Sequence, residues 1–369
     1  MKKGENILIC PLEWGLGHAS RMIPVAEKLR ALNHNIIFGA GEEHIAFLKN
    51  ELPELTCICF PGFRPAYSRF LPQYIRLLPE IPALIYHIIS EHFRLKQIIR
   101  EHHIDIVISD NRFGLWNKKI RTVYITHQPR ISFPHCFLFL EFIGVFFHRK
   151  IMKKYDFCLI PDLPGDINLT GRLSHGIRLP GNTRFIGILS RFSGLTSSDE
   201  TLSPQSGHIT VILSGPEPQR SILEEKLTGI LKKTDRPVII LGGSPGRQTG
   251  KTSAGNITRY DHADRGLMKE VISGSGAIIA RAGYTTIMEL VSLGRSALLI
   301  PTPGQTEQEY LSRYLSGKGW FSSISQKELN ESVSFPPSKK KWNDEIVMQS
   351  GILLDKALKE LSEEAKTEA

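Results

Sequence analysis

His18 closes the stretch "PLEWGLGH", behind two glycines that follow an apolar run and at the start of a helical pattern. An imidazole titrates near neutrality, so a histidine delivered to a strand end is a candidate general base. Gly15 and Gly17 allow backbone amides to approach a ligand, and the helix start offers partial positive charge to an anion. Further on, "ARAGYTTIMEL" ends a second apolar run at Arg281-Ala282-Gly283 and enters a helix through Thr285, Thr286 and Glu289. Threonine hydroxyls at a helix start either satisfy free amides or bind phosphate, and Glu289 stands three residues after Thr286, at capping-box spacing. The helix is expected to stop at Gly294. "TPGQTEQE" then gathers Gln305, Glu307, Gln308 and Glu309 at another strand end. Amides and carboxylates bonding in pairs suit the vicinal hydroxyls of a ribose or a hexose. In the first half, Asp110, Asn111, Arg112, His127 and Gln128 end two more apolar runs and are expected on a cleft rim.

Two other stretches imitate nucleotide motifs. Gly15-Leu-Gly17-His18-Ala19-Ser20 has the first two glycines of a dinucleotide fingerprint, but serine holds the third position; Glu42 or Glu43 would be the ribose acid. "GSPGRQTGKTS" ends like a phosphate loop, yet Pro245 stands where the first glycine belongs, and the residues after Thr252 have no helical pattern. The second is not a phosphate loop.

The elements that must position these residues are strands alternating with helices. "NILICPL", "NIIFGA", "TCICF", "IDIVISD", "TVYITHQ" and "DFCLIPD" read as strands, with a helix after the first and a long helical region over 72–100 broken by Pro79 and Pro82. The pattern restarts at "HITVILSG" and runs through a helix near 218–233, "PVIILGG", "NITRY", "GAIIARAG" and "SALLIPT". The fold class is α/β, with two doubly wound parallel sheets. The boundaries read as 1–192 for the N-terminal domain, 193–207 for a polar linker, 208–342 for the C-terminal domain and 343–369 for a last helix that packs back toward the first domain. A length of 369 residues fits two domains. Such folds place their site in a cleft at the carboxyl ends of the strands.

The net charge of +9 suits an anionic ligand or an acidic membrane surface, and the lysine run at 339–341 is too short for a nucleic-acid arm. Five cysteines, several inside apolar runs, read as buried free thiols in a reducing compartment. The amino terminus enters a strand directly, with too little apolar length for a signal peptide, and no segment supplies a membrane span. The expected location is the cytoplasm. Residues 133–156 are aromatic and aliphatic, then basic at His148, Arg149, Lys150, Lys153 and Lys154. A surface helix of that kind would contact the anionic inner face of a membrane.

Residues 256–314 resemble the nucleotide-binding half of the family 28 glycosyltransferases related to MurG, the peptidoglycan N-acetylglucosaminyltransferase. That resemblance implies the GT-B architecture, two Rossmann-like domains facing across a cleft. It implies that Arg281, Ala282 (a serine in the family), Gly283 and Thr286 form the donor turn, that Glu289 binds the ribose of UDP, and that Gln308 and Glu309 hold the donor sugar; Gln305, at the same strand end, is placed with them on the donor side by position. The family has glutamine where Glu309 stands. Tyr260, Asp261 and His262 match the segment that clasps uracil. Gly15, Gly17 and His18 match the family's first glycine turn. "SGPEPQR" stands where the second one belongs, so Ser214, Gly215 and Arg220 would approach the diphosphate.

The expected activity is a metal-independent, inverting transfer of a hexose, GlcNAc in the type enzyme, from a UDP-sugar to an acceptor hydroxyl, with no cofactor. His18 would be the base and Asp110 would orient it. Helix N-termini and arginines would stabilise the departing diphosphate, because no Asp-x-Asp motif stands at a strand end. The acceptor would be lipid-linked or part of a cell-envelope glycan. The alternatives are a UDP-sugar binding protein without transfer activity, a UDP-sugar 2-epimerase, and a dinucleotide-dependent oxidoreductase using the first loop.

Overall fold

The computed structural model describes residues 4–68, 72–133, 141–193, 207–243 and 250–363. The apolar runs of the first half form β1 (Asn6–Cys10), β2 (Asn35–Ala40), β3 (Thr56–Cys59), β4 (Ile106–Asp110), β5 (Arg121–Ile125), β6 (Phe157–Ile160) and β7 (Thr183–Phe185). All pair in parallel, in the order β3-β2-β1-β4-β5-β6-β7. The second half repeats the plan with β8 (Ile209–Ile212), β9 (Val238–Leu241), β10 (Lys251–Ala254), β11 (Ile257–Tyr260), β12 (Ala277–Ala280), β13 (Leu298–Leu299) and β14 (Ser322–Ser323), in the order β10-β11-β9-β8-β12-β13-β14. Of these only β10 runs antiparallel, against β11. The central strands β4, β5, β8 and β12 are buried along their whole length, as uninterrupted apolar runs require when helices cover both faces.

The helices are α1 (Gly17–Ala31), α2 (Glu42–Glu51), α3 (Gln73–Leu77), α4 (Ile81–Glu101), α5 (Glu141–Met152), α6 (Gln219–Leu231), α7 (Arg265–Ser273), α8 (Tyr284–Ser292), α9 (Thr306–Gly317) and α10 (Glu345–Glu363). The prolines of 72–100 separate elements rather than kink one. Pro79 lies in a 3-10 turn, Leu78–Glu80, and Pro82 in the first turn of α4, where its missing amide is not needed. The order reverses between β1 and β4, and again between β8 and β12, so each domain has a crevice at its strand ends. Cys10 pairs with Ser109 and Ile212 with Ala280, which brings the chains leaving these strands out side by side.

One apolar cluster runs from Ile7 and Met22 in the first domain through Ile287 and Met288 to Leu354 and Leu358. Helix α10 lies on the N-terminal domain. Ser350 Oγ accepts from the Ile188 amide at 2.9 Å, and Arg184 pairs with Glu360 at 2.6 Å. The expected linker falls almost wholly at 194–206, outside the described residues.

The structure corrects three expectations. Only Cys10 and Cys158 are buried; Cys57 is half-buried and Cys59 exposed, because β3 is the edge of its sheet; Cys136 lies outside the described residues. Strands β7, β10 and β14 carry no apolar run and were not expected from the pattern; they are short edges of their sheets. Thr285 and Thr286 do not cap α8: Gly283 is its N-cap residue, and no capping box forms.

Candidate active site

The turn after β1 delivers His18 in the first turn of α1, and β4 ends at Asp110 on the adjacent strand. His18 Nδ1 lies 2.8 Å from Asp110 Oδ2. A carboxylate held ionised can only accept, so Nδ1 carries the proton and Nε2 presents its lone pair. Arg21 sits one helical turn after His18, on the same face. It donates from Nε to Asp110 Oδ2 at 2.8 Å and from Nη2 to Oδ1. Burial pulls the His18 imidazole down, and Arg21 adds to this; Asp110 opposes them, leaving the ring at about 4. Burial alone would raise Asp110, but Arg21 and His18 hold its carboxyl at about 2. The dyad is therefore neutral imidazole beside carboxylate at neutral pH.

Gly15 and Gly215 occupy equivalent turns, after β1 and β8. Their φ values of 118° and 97° favour glycine, and a side chain at either would point into open space. Ser214 and Gly215 therefore lead from β8 into the C-terminal crevice. The other side of that crevice is the turn Arg281-Ala282-Gly283. Arg281 is buried; it donates to Gln219 O at 2.7 Å and Pro301 O at 3.2 Å, and burial lowers its guanidinium to about 10. Arg220 binds Glu217 at 2.6 Å and Gly243 O at 3.0 Å. Neither arginine has its full set of donors turned to an open crevice.

The two domains touch at this point. Thr285 Oγ1 donates to Gly17 O at 3.0 Å, so the starts of α1 and α8 meet. Glu289 is buried, with Ser20 Oγ donating to it at 2.7 Å and Arg191 Nε paired at 3.0 Å; Arg191 also holds Glu51 at 2.7 Å. Thr286 is buried beside it, and Ala282 is fully enclosed. His262 packs edge-on against Phe47 of the N-terminal domain, its imidazole lowered by burial and by Arg191. Tyr260 ends β11, and Asp261 pairs with Arg259.

In the loop before α9, Gln308 Oε1 accepts from the Thr302 amide at 2.9 Å and Glu309 Oε1 from the Gly304 amide at 2.8 Å. These two groups hold the loop. Gln305 is the N-cap residue of α9, and its Oε1 is buried without a protein partner, as are Arg281 Nε and His262 Nε2. A cavity of about 770 Å³ opens beside this loop, lined by Gln219, Pro301, Gly304, Glu309, Arg313 and Lys327.

The five polar residues expected on the N-terminal rim divide. His127 joins the Asp110 group: its Nδ1 lies 3.0 Å from Arg21 Nη1. Gln128 follows it, half-buried. Asn111 is turned inward, accepting from Tyr124 Oη at 3.1 Å. Arg112 is consumed structurally, with Glu91 at 2.9 Å, Phe60 O at 2.9 Å and the Phe60 ring beneath it. It does not reach the cleft, because a buried guanidinium must spend its donors. Sequence reasoning missed Arg21, Tyr284 and Arg191. For Arg21 the signal was present, three residues after His18 on a helix.

Helices α4 and α5 carry another feature. Ile85, Ile89 and Phe93 stand exposed at four-residue spacing, with Tyr86 75% exposed beside them; on α5, Phe142, Phe146 and Phe147 are exposed. Both helices flank the 113–116 loop, His92 stacking on Trp116 and His148 meeting the Phe113 ring. Lys96, Lys150 and Lys154 lie over aromatic rings of this face. The expectation for 133–156 is described at 133 and over 141–156, since 134–140 lie outside the described residues. No described helix is long and apolar enough to cross a membrane.

Comparison with known proteins agrees with this plan. Residues 238–334 match the Glycosyltransferase family 28 C-terminal domain. An uncharacterized glycosyltransferase of Methanosarcina acetivorans is 23% identical over 326 residues, covering 83% of this chain and 82% of that protein. A UDP-N-acetylglucosamine–N-acetylmuramyl-(pentapeptide) pyrophosphoryl-undecaprenol N-acetylglucosamine transferase of Bacillus thuringiensis is 39% identical over 64 residues, only 17% of this chain and 18% of that protein. Among solved structures, the glycosyltransferase SnogD of Streptomyces nogalater superposes with a TM-score of 0.59 at 16% identity, over 98% of this chain and 96% of that one. Acinetobacter baumannii MurG does so with a TM-score of 0.50 at 12% identity, over 97% and 93%. The chain is a glycosyltransferase of GT-B architecture whose C-terminal half carries the family 28 domain.

Proposed function

We propose that the protein transfers a hexose from a UDP-sugar to an acceptor hydroxyl with inversion and without a metal. The observation that carries this reading is the His18–Asp110 dyad, facing the turn at 283–289 across the domain boundary. His18 Nε2 takes the proton of the acceptor hydroxyl. The oxygen then attacks the anomeric carbon and UDP departs from the opposite face. Asp110 holds Nδ1–H in place and favours the imidazolium as it forms. Charge growing on the diphosphate is met by the amides at the start of α8 and by the Ser214-Gly215 turn. Gln305, Arg281 Nε and His262 Nε2 keep hydrogen-bonding capacity for the donor. A ribose reaching Glu289 takes the place of the Ser20 hydroxyl, so the donor enters when the α1–α8 contact opens.

The apolar face of α4 and α5, with its lysines, favours a lipid-linked acceptor presented at an anionic membrane. The acceptor named for the Bacillus relative, a pyrophosphoryl-undecaprenol, is of that class.

A thermal-shift screen over UDP, GDP, dTDP and NAD, repeated on Glu289→Ala, tests the donor. A rise in Tm with UDP that the variant loses supports the reading. A rise with NAD alone overturns it. Consumption of UDP-sugar without any acceptor, giving an epimer, would favour the epimerase instead. UDP binding with no transfer to any acceptor would leave a binding protein.

A further inference from the structure

Glu307 stands apart from its neighbours in the "QTEQE" run. Gln308 and Glu309 bind amides of their own loop, but Glu307 reaches into the other domain, where His127 Nε2 lies 2.9 Å from its Oε1. The polarity of this contact is fixed. Arg21 Nη1 can only donate, so His127 Nδ1 accepts and Nε2 carries the ring proton to Glu307. The other tautomer would set two N–H groups against each other. Tyr284 of α8 stacks on the His127 ring at 4.6 Å and 6°, and its hydroxyl donates to Pro161 O at 2.5 Å. The His127 side chain is 3% exposed and that of Glu307 19%. The same Arg21 holds Asp110, which orients His18. An unbroken line of hydrogen bonds therefore joins the first turn of α9 to the candidate base.

We propose that Glu307, His127 and Arg21 are positioning residues that tie the orientation of His18 to the seating of the C-terminal domain. With Glu307 in place, His127 is locked in one tautomer, Arg21 is held on Asp110, and His18 presents Nε2. When the domains part, His127 Nε2–H loses its acceptor and the ring, held by Arg21 alone, is free to turn off it and exchange tautomers, which loosens Arg21 and then Asp110. The base is then fully set only in the closed enzyme, so a proton is taken only when the donor domain has docked. The inference rests on the reading of His18 as the base. The helix carrying Glu307 is anchored without it, since Thr306 Oγ1 donates to Ser132 O at 2.7 Å and the Arg172 amide donates to Tyr310 Oη at 2.7 Å.

The test is ¹⁵N-histidine NMR on the full chain, comparing the wild type with Glu307→Ala, Glu307→Gln and His127→Gln. In the wild type, His18 shows protonated Nδ1 and bare Nε2, and His127 the reverse. Glu307→Ala is expected to lose both signatures to averaged shifts, whereas Glu307→Gln, whose carboxamide oxygen still accepts, keeps them. His127→Gln is expected to lose the His18 signature. An unchanged His18 signature in Glu307→Ala and His127→Gln, or equal loss in the Ala and Gln variants of Glu307, overturns the relay. UDP thermal shifts measured on the same samples report on donor binding separately. A chain blind to UDP counts against the nucleotide-sugar reading, while the imidazole signals still decide the relay.

Discussion

Thr285 donates its hydroxyl to the carbonyl oxygen of Gly17 at 3.0 Å, and so pins the first turn of α8 to the first turn of α1. A β-carbon on Gly17 would lie 3.0 Å from that hydroxyl oxygen. The contact leaves room for glycine and little else. Gly17→Ala is expected to cost roughly 1–2 kcal/mol through this crowding. Urea unfolding measures it, and the loss should be smaller in a Thr285→Ala background, where the hydroxyl oxygen at 3.0 Å is gone.

His18→Ala is expected to lower kcat by about 10²–10⁴, the range for loss of a positioned general base. Its fold should be little disturbed, because Arg21 still neutralises Asp110. Single-turnover kinetics with a competent acceptor would check this; turnover at the wild-type rate would exclude His18 as the base.

Asp110→Asn is expected to fall furthest in stability. It leaves the buried Arg21 guanidinium facing a neutral group, and breaking one partner of a buried pair costs about 3–5 kcal/mol. Comparing its Tm with that of His18→Ala separates the two contributions.

The titrations give a signed pH dependence. His18 and His148 each drop to about 4, mainly through burial, from an ordinary 6.5. A histidine whose folded value is depressed contributes stability that is complete above 6.5 and lost as pH falls toward 4. Asp110, held at about 2 against 3.8, contributes stability present above 3.8 and lost as pH falls toward 2. Urea midpoints are thus expected to decline from pH 7 to 4 and again below it. His18→Asn should flatten the first decline. For the same reason the acid limb of kcat/KM should inflect near 4 rather than 6.5.

Replacing Ile85, Ile89, Phe146 and Phe147 by serine is expected to reduce co-sedimentation with phosphatidylglycerol vesicles at least tenfold. All four are exposed, so Tm should shift little. Vesicle binding equal to wild type would remove the case for a membrane-borne acceptor on this face.

The strands were legible because both faces of each central sheet are covered, which writes an apolar run into the sequence. The pairing of His18 with Asp110 was legible for a related reason: Asp110 ends β4, His18 lies in the turn and helix that follow β1, and the reversal of strand order sets those strands side by side. Contacts between domains were not legible. The spacing of Thr286 and Glu289 suggested a capping box, but two partners from outside the helix, Ser20 and Arg191, take the carboxylate instead. Arg112 looked like a rim residue because nothing local marks Glu91 as its buried partner on a helix otherwise largely exposed. The role of His127 depends on Glu307, 180 residues away, and only the docking of the two sheets brings them together.

Helix α10 completes the N-terminal domain from the far end of the chain, through Ser350 on Ile188 and Glu360 on Arg184. During synthesis the first domain therefore emerges with part of its surface uncovered and stays so until the second has been made. The two halves are not independent folding units, since a helix that follows the second domain in the chain packs on the first.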